Sequence, residues 1–163
     1  MSNDPTKPSS PACLAHEADP AYMGYASRDE VAAFLNELLE AERAGTGVAL
    51  KSAEAADGGP FVDLLRDIHR DEARWCAMLL RQLKTLCAPA SPRVGAFQEK
   101  AMAIDGLPER IAFLNRGQGW VVRKLREMMP KVRDDGLHRD LVEMLQSHEA
   151  NIARANDALK AAG

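Results

Sequence analysis

Four polar residues stand near the middle of four apolar patterns, and their spacing repeats. Glu42 and Glu72 lie thirty positions apart, and so do Gln118 and His148. Carboxylate and imidazole groups in the core of a helical protein are the usual ligands of iron and manganese. A carboxylate in a core must be paired, protonated or bound to a metal, because an isolated buried charge is very costly. These four residues are therefore the first candidates for a functional site.

The elements that would position them are four amphipathic helices, since apolar residues recur at intervals of three and four along each segment. A capping box at Ser27–Glu30 begins the first helix, and the turn sequence at 57–60 ends it. The second helix is predicted from about Phe61 to Leu86. The third is predicted from Leu107 to Pro130, the fourth begins near Asp134, and a short helical turn surrounds Phe97.

The lengths of the connections predict how these helices pack. The first and last are short and the middle one is long, which favours an all-α fold: an antiparallel four-helix bundle of the ferritin-like kind, with one long middle crossover. In such a bundle the mid-helix positions lie at one level, so a single polar layer is expected, formed by Glu42, Glu72, Gln118 or Asn115, and His148 or Glu149. The domain is predicted over 29–163, after an irregular, proline-rich N-terminal tail at 1–28.

Residues 29–160 resemble the ferritin-like superfamily, in particular the bacterioferritin and rubrerythrin type. The pattern of that family is Glu on the first helix, Glu-x-x-His on the second, Glu on the third and Glu-x-x-His on the fourth. Glu42 and Glu72 match the first two glutamates, and Trp75 stands where the first histidine is expected. The third-helix glutamate has no match, and Gln118 or Arg116 falls near its position. The resemblance therefore implies a ferritin-like fold with an altered di-metal site.

The fourth helix and the missing histidine leave alternatives open. Either His148 or Glu149 takes the carboxylate position of the fourth helix, and Asn151 or Ile152 the histidine position. His69 shares a helix face with Glu72 and is either a substitute ligand or a surface histidine. The candidate metal ligands are, in full, Glu42, Glu72, His148, Glu149, His69 and Gln118.

Three functions follow from these residues. The first is an atypical or incomplete iron, manganese or zinc site with a binding or redox role. The alternative is a metal-free bundle, in which the same side chains form a buried hydrogen-bond network and the protein is a structural or interaction module. A third is acid–base chemistry by Glu72 and His148 without a metal. No residue pattern identifies a small-molecule substrate.

Composition excludes several classes of partner. The net charge is −3 with a pI near 5.8, which gives no support to nucleic-acid binding. No apolar run is long enough for a membrane span, and no secretory signal is visible, so a cytoplasmic protein is expected. The 3 cysteines are too scattered for a disulfide framework. The resemblance implies self-association, with a homodimer as the expected state.

One further cluster lies in the tail. Cys13, His16, Glu17 and Asp19 are four potential metal ligands within seven residues. They either cap a site at the end of the bundle or reflect the uneven composition of a short tail.

Overall fold

The computed structural model describes residues 20–163, and the tail cluster of Cys13, His16, Glu17 and Asp19 lies outside this range. Over residues 20–163 the chain is helical and forms no strand, which confirms the all-α prediction. The elements are α1 (Arg28–Ala55), α2 (Pro60–Thr85), α3 (Phe97–Met102), α4 (Leu107–Met128) and α5 (Asp135–Ala162), with 3-10 turns at Pro20–Met23 and Met129–Lys131. None of these helices is long and apolar enough to cross a membrane.

Local chemistry explains where the long helices begin. The capping box predicted for α1 is present: Ser27 Oγ accepts from the Glu30 N–H at 3.2 Å, and the Ser27 N–H donates to Glu30 Oε2 at 2.8 Å. At the start of α5, the Asp134 carboxylate accepts from the Leu137 N–H at 2.6 Å. The first turns of α2 and α4 each contain a proline, which lacks the N–H that would be unsatisfied there.

The end of α2 is a Schellman motif. The Cys87 N–H donates to the Lys84 carbonyl and the Ala88 N–H donates to the Leu83 carbonyl, each at 3.0 Å. Cys87 has a φ of 51°, the left-handed conformation that this motif requires and that glycine adopts most easily. The chain turns away from α2 at this residue and begins the long connection to α3.

The five helices pack around a shared core. α1 packs against α2 and α4 against α5, and the two pairs meet through α1–α4 and α2–α5 contacts. The apolar core forms two clusters. One includes Leu38, Leu79, Leu125 and Leu141, and the other includes Val48, Leu65, Leu114 and Ala155. Each long helix contributes to both clusters, so the segment between them lies near the middle of every long helix.

The long connection is held against α1 by polar side chains of that helix. The Asn36 amide donates to the Pro89 carbonyl at 3.0 Å and accepts from the Ser91 N–H at 2.6 Å. Arg43 donates to the carbonyl oxygens of Ser91 and Arg93. These bonds place the following short helix, α3, against α1 and α4.

Candidate functional site

A cavity of about 470 Å³ lies between α1, α2, α4 and α5, with the start of α3 along one side. Its inner part is polar and buried, and its outer part reaches exposed residues such as Glu37 and Arg116. Most of the remaining lining is apolar or aromatic. The buried polar lining residues are Glu42, Glu72, Gln118 and His148, and the large apolar ones are Phe97, Phe113, Leu114, Trp120 and Val121.

Each of the four polar residues comes from the middle of a different long helix. Glu42 lies on α1, Glu72 on α2, Gln118 on α4 and His148 on α5, and each is at most 3% exposed. They separate the two apolar clusters of the core. We call these four residues the polar layer.

Glu42 and His148 are hydrogen-bonded to each other. His148 Nε2 lies 3.1 Å from Glu42 Oε1, and His148 Nδ1 lies 3.0 Å from the Met144 carbonyl. Since a carbonyl only accepts, Nδ1 carries a proton, and Nε2 is the ring atom whose proton can be gained or lost. Burial opposes the charged imidazolium, but the Glu42 charge and hydrogen bond outweigh this effect and raise the pKa of His148.

Glu72 lies against the bare backbone of α1 at Gly45. A Cβ at Gly45 would come within 2.5 Å of Glu72 Oε2, closer than real Cβ contacts. Burial, the neighbouring charge of Glu42 and that of Asp71 raise the pKa of Glu72 well above its ordinary value. The protein therefore holds a carboxyl group in a place that favours its neutral form unless a cation is nearby.

Several buried atoms of the polar layer have no hydrogen-bond partner in the protein. They are the second carboxylate oxygen, Oε2, of Glu42, the Oε2 of Glu72, and both amide atoms of Gln118. Leaving such groups unsatisfied costs about 1–3 kcal/mol each, and more when they are charged. The metal-free alternative predicts a closed hydrogen-bond network among these side chains. Among the described residues, the only bond of that network is the one between Glu42 and His148.

The structure places the other two candidate ligands away from the cavity. Glu149 is half-exposed and pairs with Arg126 on α4. His69 is half-buried, and its Nδ1 lies 3.2 Å from the Thr46 carbonyl. Of the two alternatives on α5, His148 is therefore the one that faces the core.

Other residues near the site have structural partners. The Trp75 indole donates to Ser147 Oγ at 3.2 Å, and the Asn151 amide donates to Asp71 at 3.0 Å. In the predicted ferritin-like pattern, Trp75 takes the position of the first histidine, and Asn151 or Ile152 that of the second. Arg74 pairs with Glu143 on α5 and so does not neutralise the buried glutamates.

Sequence reasoning missed the aromatic side of the cavity and the role of Gly45. Phe97 and Phe113 stack with their ring centroids 4.8 Å apart. The signal for Gly45 was a glycine on the inward face of α1, three residues after Glu42. The sequence contains no comparable signal for the aromatic pair, because Phe97 lies on a separate short helix.

As the side chains stand, no group of three or more His, Cys, Asp and Glu residues within 20–163 is assembled as a metal site. Glu42 and His148 are in contact, and Glu72 is close enough for its pKa to respond to the Glu42 charge. The site therefore contains a preformed pair of candidate ligands and a third candidate at its side.

Comparison with known proteins gives one match. A family model described as "Domain of unknown function (DUF6306)" matches residues 29–158, which is most of the chain. No curated protein and no solved structure matches.

Proposed function

We propose that this chain, which belongs to the family described as Domain of unknown function (DUF6306), binds a metal ion in its polar layer. Glu42, Glu72 and His148 would hold the ion, and iron, manganese and zinc are the candidates. The observation that carries the proposal is the pair of buried glutamates, each with a carboxylate oxygen that has no partner in the protein.

The proposed fold supports this assignment. We infer that the four long helices form an antiparallel, ferritin-like bundle, because α1, α2, α5 and α4 contact one another in a ring. Bundles of this kind build metal sites from inward-facing side chains at mid-helix. The polar layer has this position, between the two apolar clusters.

The orientation of His148 fits a ligand. The His148 Nδ1–H donates to the Met144 carbonyl, so the Nε2 lone pair of the neutral ring would point into the cavity towards Glu42. Metal-binding histidines almost always donate their other N–H in this way, which fixes the tautomer and the ring orientation. The imidazolium formed in the absence of a metal would give up its Nε2 proton on binding.

The position of Glu72 fits a second carboxylate ligand. Gly45 leaves room for its carboxylate beside α1, and a cation would remove the repulsion that Glu42 exerts on it. Since the three side chains are not yet assembled around one point, binding is expected to draw them together. The Glu42–His148 hydrogen bond would open to admit the ion, because Nε2 now faces Glu42 Oε1 at 3.1 Å.

A bound divalent ion with three protein ligands would keep open positions and act as a Lewis acid or redox centre towards a small molecule. The chain itself supplies the rest of the environment. The apolar residues above and below the polar layer exclude water, and the cavity gives a path from the surface near Glu37 and Arg116. This arrangement favours binding and activation of a small molecule over storage of many ions.

Elemental analysis of the purified, untagged protein tests the proposal. We expect about one iron, manganese or zinc ion per chain after loading, and loss of that metal in the double variant Glu42→Gln/Glu72→Gln. A matched control is Glu54→Gln/Asp63→Asn, which removes two exposed carboxylates from the same helices. Equal metal content in the two double variants would refute the site, and a metal-free wild type after loading would favour the alternative of a buried polar network.

A further inference from the structure

The outer half of the cavity has a composition that a metal site does not explain. Phe97 from α3 and Phe113 and Trp120 from α4 line it, together with Leu114 and Val121. Phe97 and Phe113 stack with an interplanar angle of 17°. Pockets of about 300–1,000 Å³ with mostly apolar walls are typical sites for small organic ligands, and this cavity falls within that range.

Phe97 is held in the cavity wall by a glycine of α4. A Cβ at Gly117 would come within 2.6 Å of the tip of the Phe97 ring. The ring therefore lies directly on the exposed backbone of α4. Because α3 contributes this ring, the short helix forms one wall of the cavity and closes its outer part.

Gln118 supplies the polar recognition group at the inner end. It is 3% exposed, it lines the cavity, and neither its amide nitrogen nor its amide oxygen has a partner in the protein. An unpaired carboxamide offers one donor and one acceptor side by side. Its complement is a ligand group that both accepts and donates a hydrogen bond.

The charged lining selects against anions. Four glutamates line the cavity, of which Glu72 favours its neutral form, and the cationic groups of the lining are one arginine and one histidine. Arg116 lies over the Phe113 ring at 5.2 Å and is exposed, so it does not neutralise the buried carboxyl groups. The four glutamates are Glu37, Glu40, Glu42 and Glu72.

We propose that this cavity binds an uncharged aromatic molecule that carries one hydroxyl or carboxamide group. The aromatic part lies among Phe97, Phe113 and Trp120, and the polar group pairs with the Gln118 amide. This inference rests on the proposed function in that it names an organic ligand for the same cavity. The position of the polar layer itself is observed.

Calorimetric titration of the full-length, metal-free protein tests the inference with three probes at neutral pH: 2-naphthol, 2-naphthamide and 2-naphthoate. We expect the first two to bind, and the anionic naphthoate to bind at least tenfold more weakly. If neither neutral probe binds at millimolar concentration, or if naphthoate binds as tightly as the amide, the inference is wrong. A chelator is present in every titration, so that naphthoate cannot bind through a residual metal ion.

Two variants locate the binding. Gly117→Ala displaces Phe97 and should weaken both neutral probes about tenfold or more, whereas Gly119→Ala should leave them unchanged. A Cβ at Gly119 meets only the end of the Arg123 side chain, at 3.8 Å.

Gln118→Leu replaces an unpaired buried amide with an apolar side chain of similar size, so this variant should fold. We expect it to weaken naphthamide binding about tenfold. Unchanged affinity in both Gly117→Ala and Gln118→Leu would place the probe elsewhere and overturn the inference. Metal content is measured separately on the glutamate variants, so either proposal can fail while the other stands.

Discussion

The Glu72 carboxylate lies directly against the helix backbone at Gly45, where any larger residue would collide with it. A Cβ there would be 2.5 Å from Oε2 and 2.8 Å from Oε1 of Glu72. A helix interior normally disfavours glycine by about 1 kcal/mol relative to alanine. At this position the missing side chain is what allows a buried carboxyl group to fit beside α1.

Substitution of Gly45 by alanine should therefore destabilise the protein, although alanine has the higher helix propensity. We expect Gly45→Ala to lose about 1–3 kcal/mol of stability, because the added methyl group overpacks the site, and to lose metal binding. Gly47→Ala is the matched control on the same helix. Its Cβ would meet only the end of the half-buried Gln98 side chain, which can turn away. Urea unfolding and metal titration of both variants check this, and equal behaviour would contradict it.

The stability of the metal-free protein should respond to pH through Glu72. Its pKa is raised in the folded state, mainly by burial, so as pH rises the unfolded chain loses this proton before the folded protein does. The contribution to stability is complete below the ordinary pKa of 4.5 and is lost as pH rises towards the folded-state pKa. Glu72→Gln should therefore be more stable than wild type at pH 8, with a difference that shrinks towards pH 4.

Urea titrations between pH 4.5 and 8 in the presence of a chelator measure this difference. Glu54→Gln, an exposed site on α1, is the control and should show no such trend. A wild type that is more stable than Glu72→Gln at pH 8 without metal would show that Glu72 has a partner which the structure does not contain.

Replacing Cys87 with glycine should stabilise the folded protein. It adopts a φ of 51° at the end of α2, and its side chain is exposed. Because glycine reaches the left-handed region without the penalty of a Cβ, we expect Cys87→Gly to raise the free energy of unfolding by roughly 0.5–1 kcal/mol. Thermal or chemical unfolding checks the value, and a destabilised variant would show that the Schellman motif is not formed.

The two described cysteines should differ strongly in reactivity. Burial, together with the charge of Glu42, raises the pKa of the Cys76 thiol to about 11, whereas Cys87 is exposed. Thiolate is the reactive form, so Cys76 should react with iodoacetamide much more slowly than Cys87 at pH 8. Peptide mapping by mass spectrometry after timed labelling distinguishes the two, and similar rates at both sites would contradict the burial of Cys76.

The helices were predictable because their signals are local. The Ser27–Glu30 capping box, the proline at the start of α4 and the Asp134 cap each determine an end from neighbouring residues alone. The polar layer was also predictable, since a carboxylate or imidazole on an apolar stripe is costly to bury without a hydrogen-bond or charge partner.

The distribution of roles within the site was not predictable. Spacing alone could not decide between His148 and Glu149, because neighbouring residues on a helix both lie near the stripe; the Arg126 partner of Glu149 decided it. The contact between Phe97 and Gly117 joins two separate helices, α3 and α4, so the periodicity within one helix cannot predict it. The homodimer remains a prediction, and light scattering measures it.

The most direct test of the metal site is anomalous X-ray scattering from crystals of the loaded protein, collected above and below the absorption edge of the metal. We expect one strong peak in the polar layer, bonded to Glu42, Glu72 and His148 Nε2. The peak should be absent from crystals of Glu42→Gln/Glu72→Gln. A loaded protein with no peak in the layer, or with peaks only at surface carboxylates, would contradict the central claim.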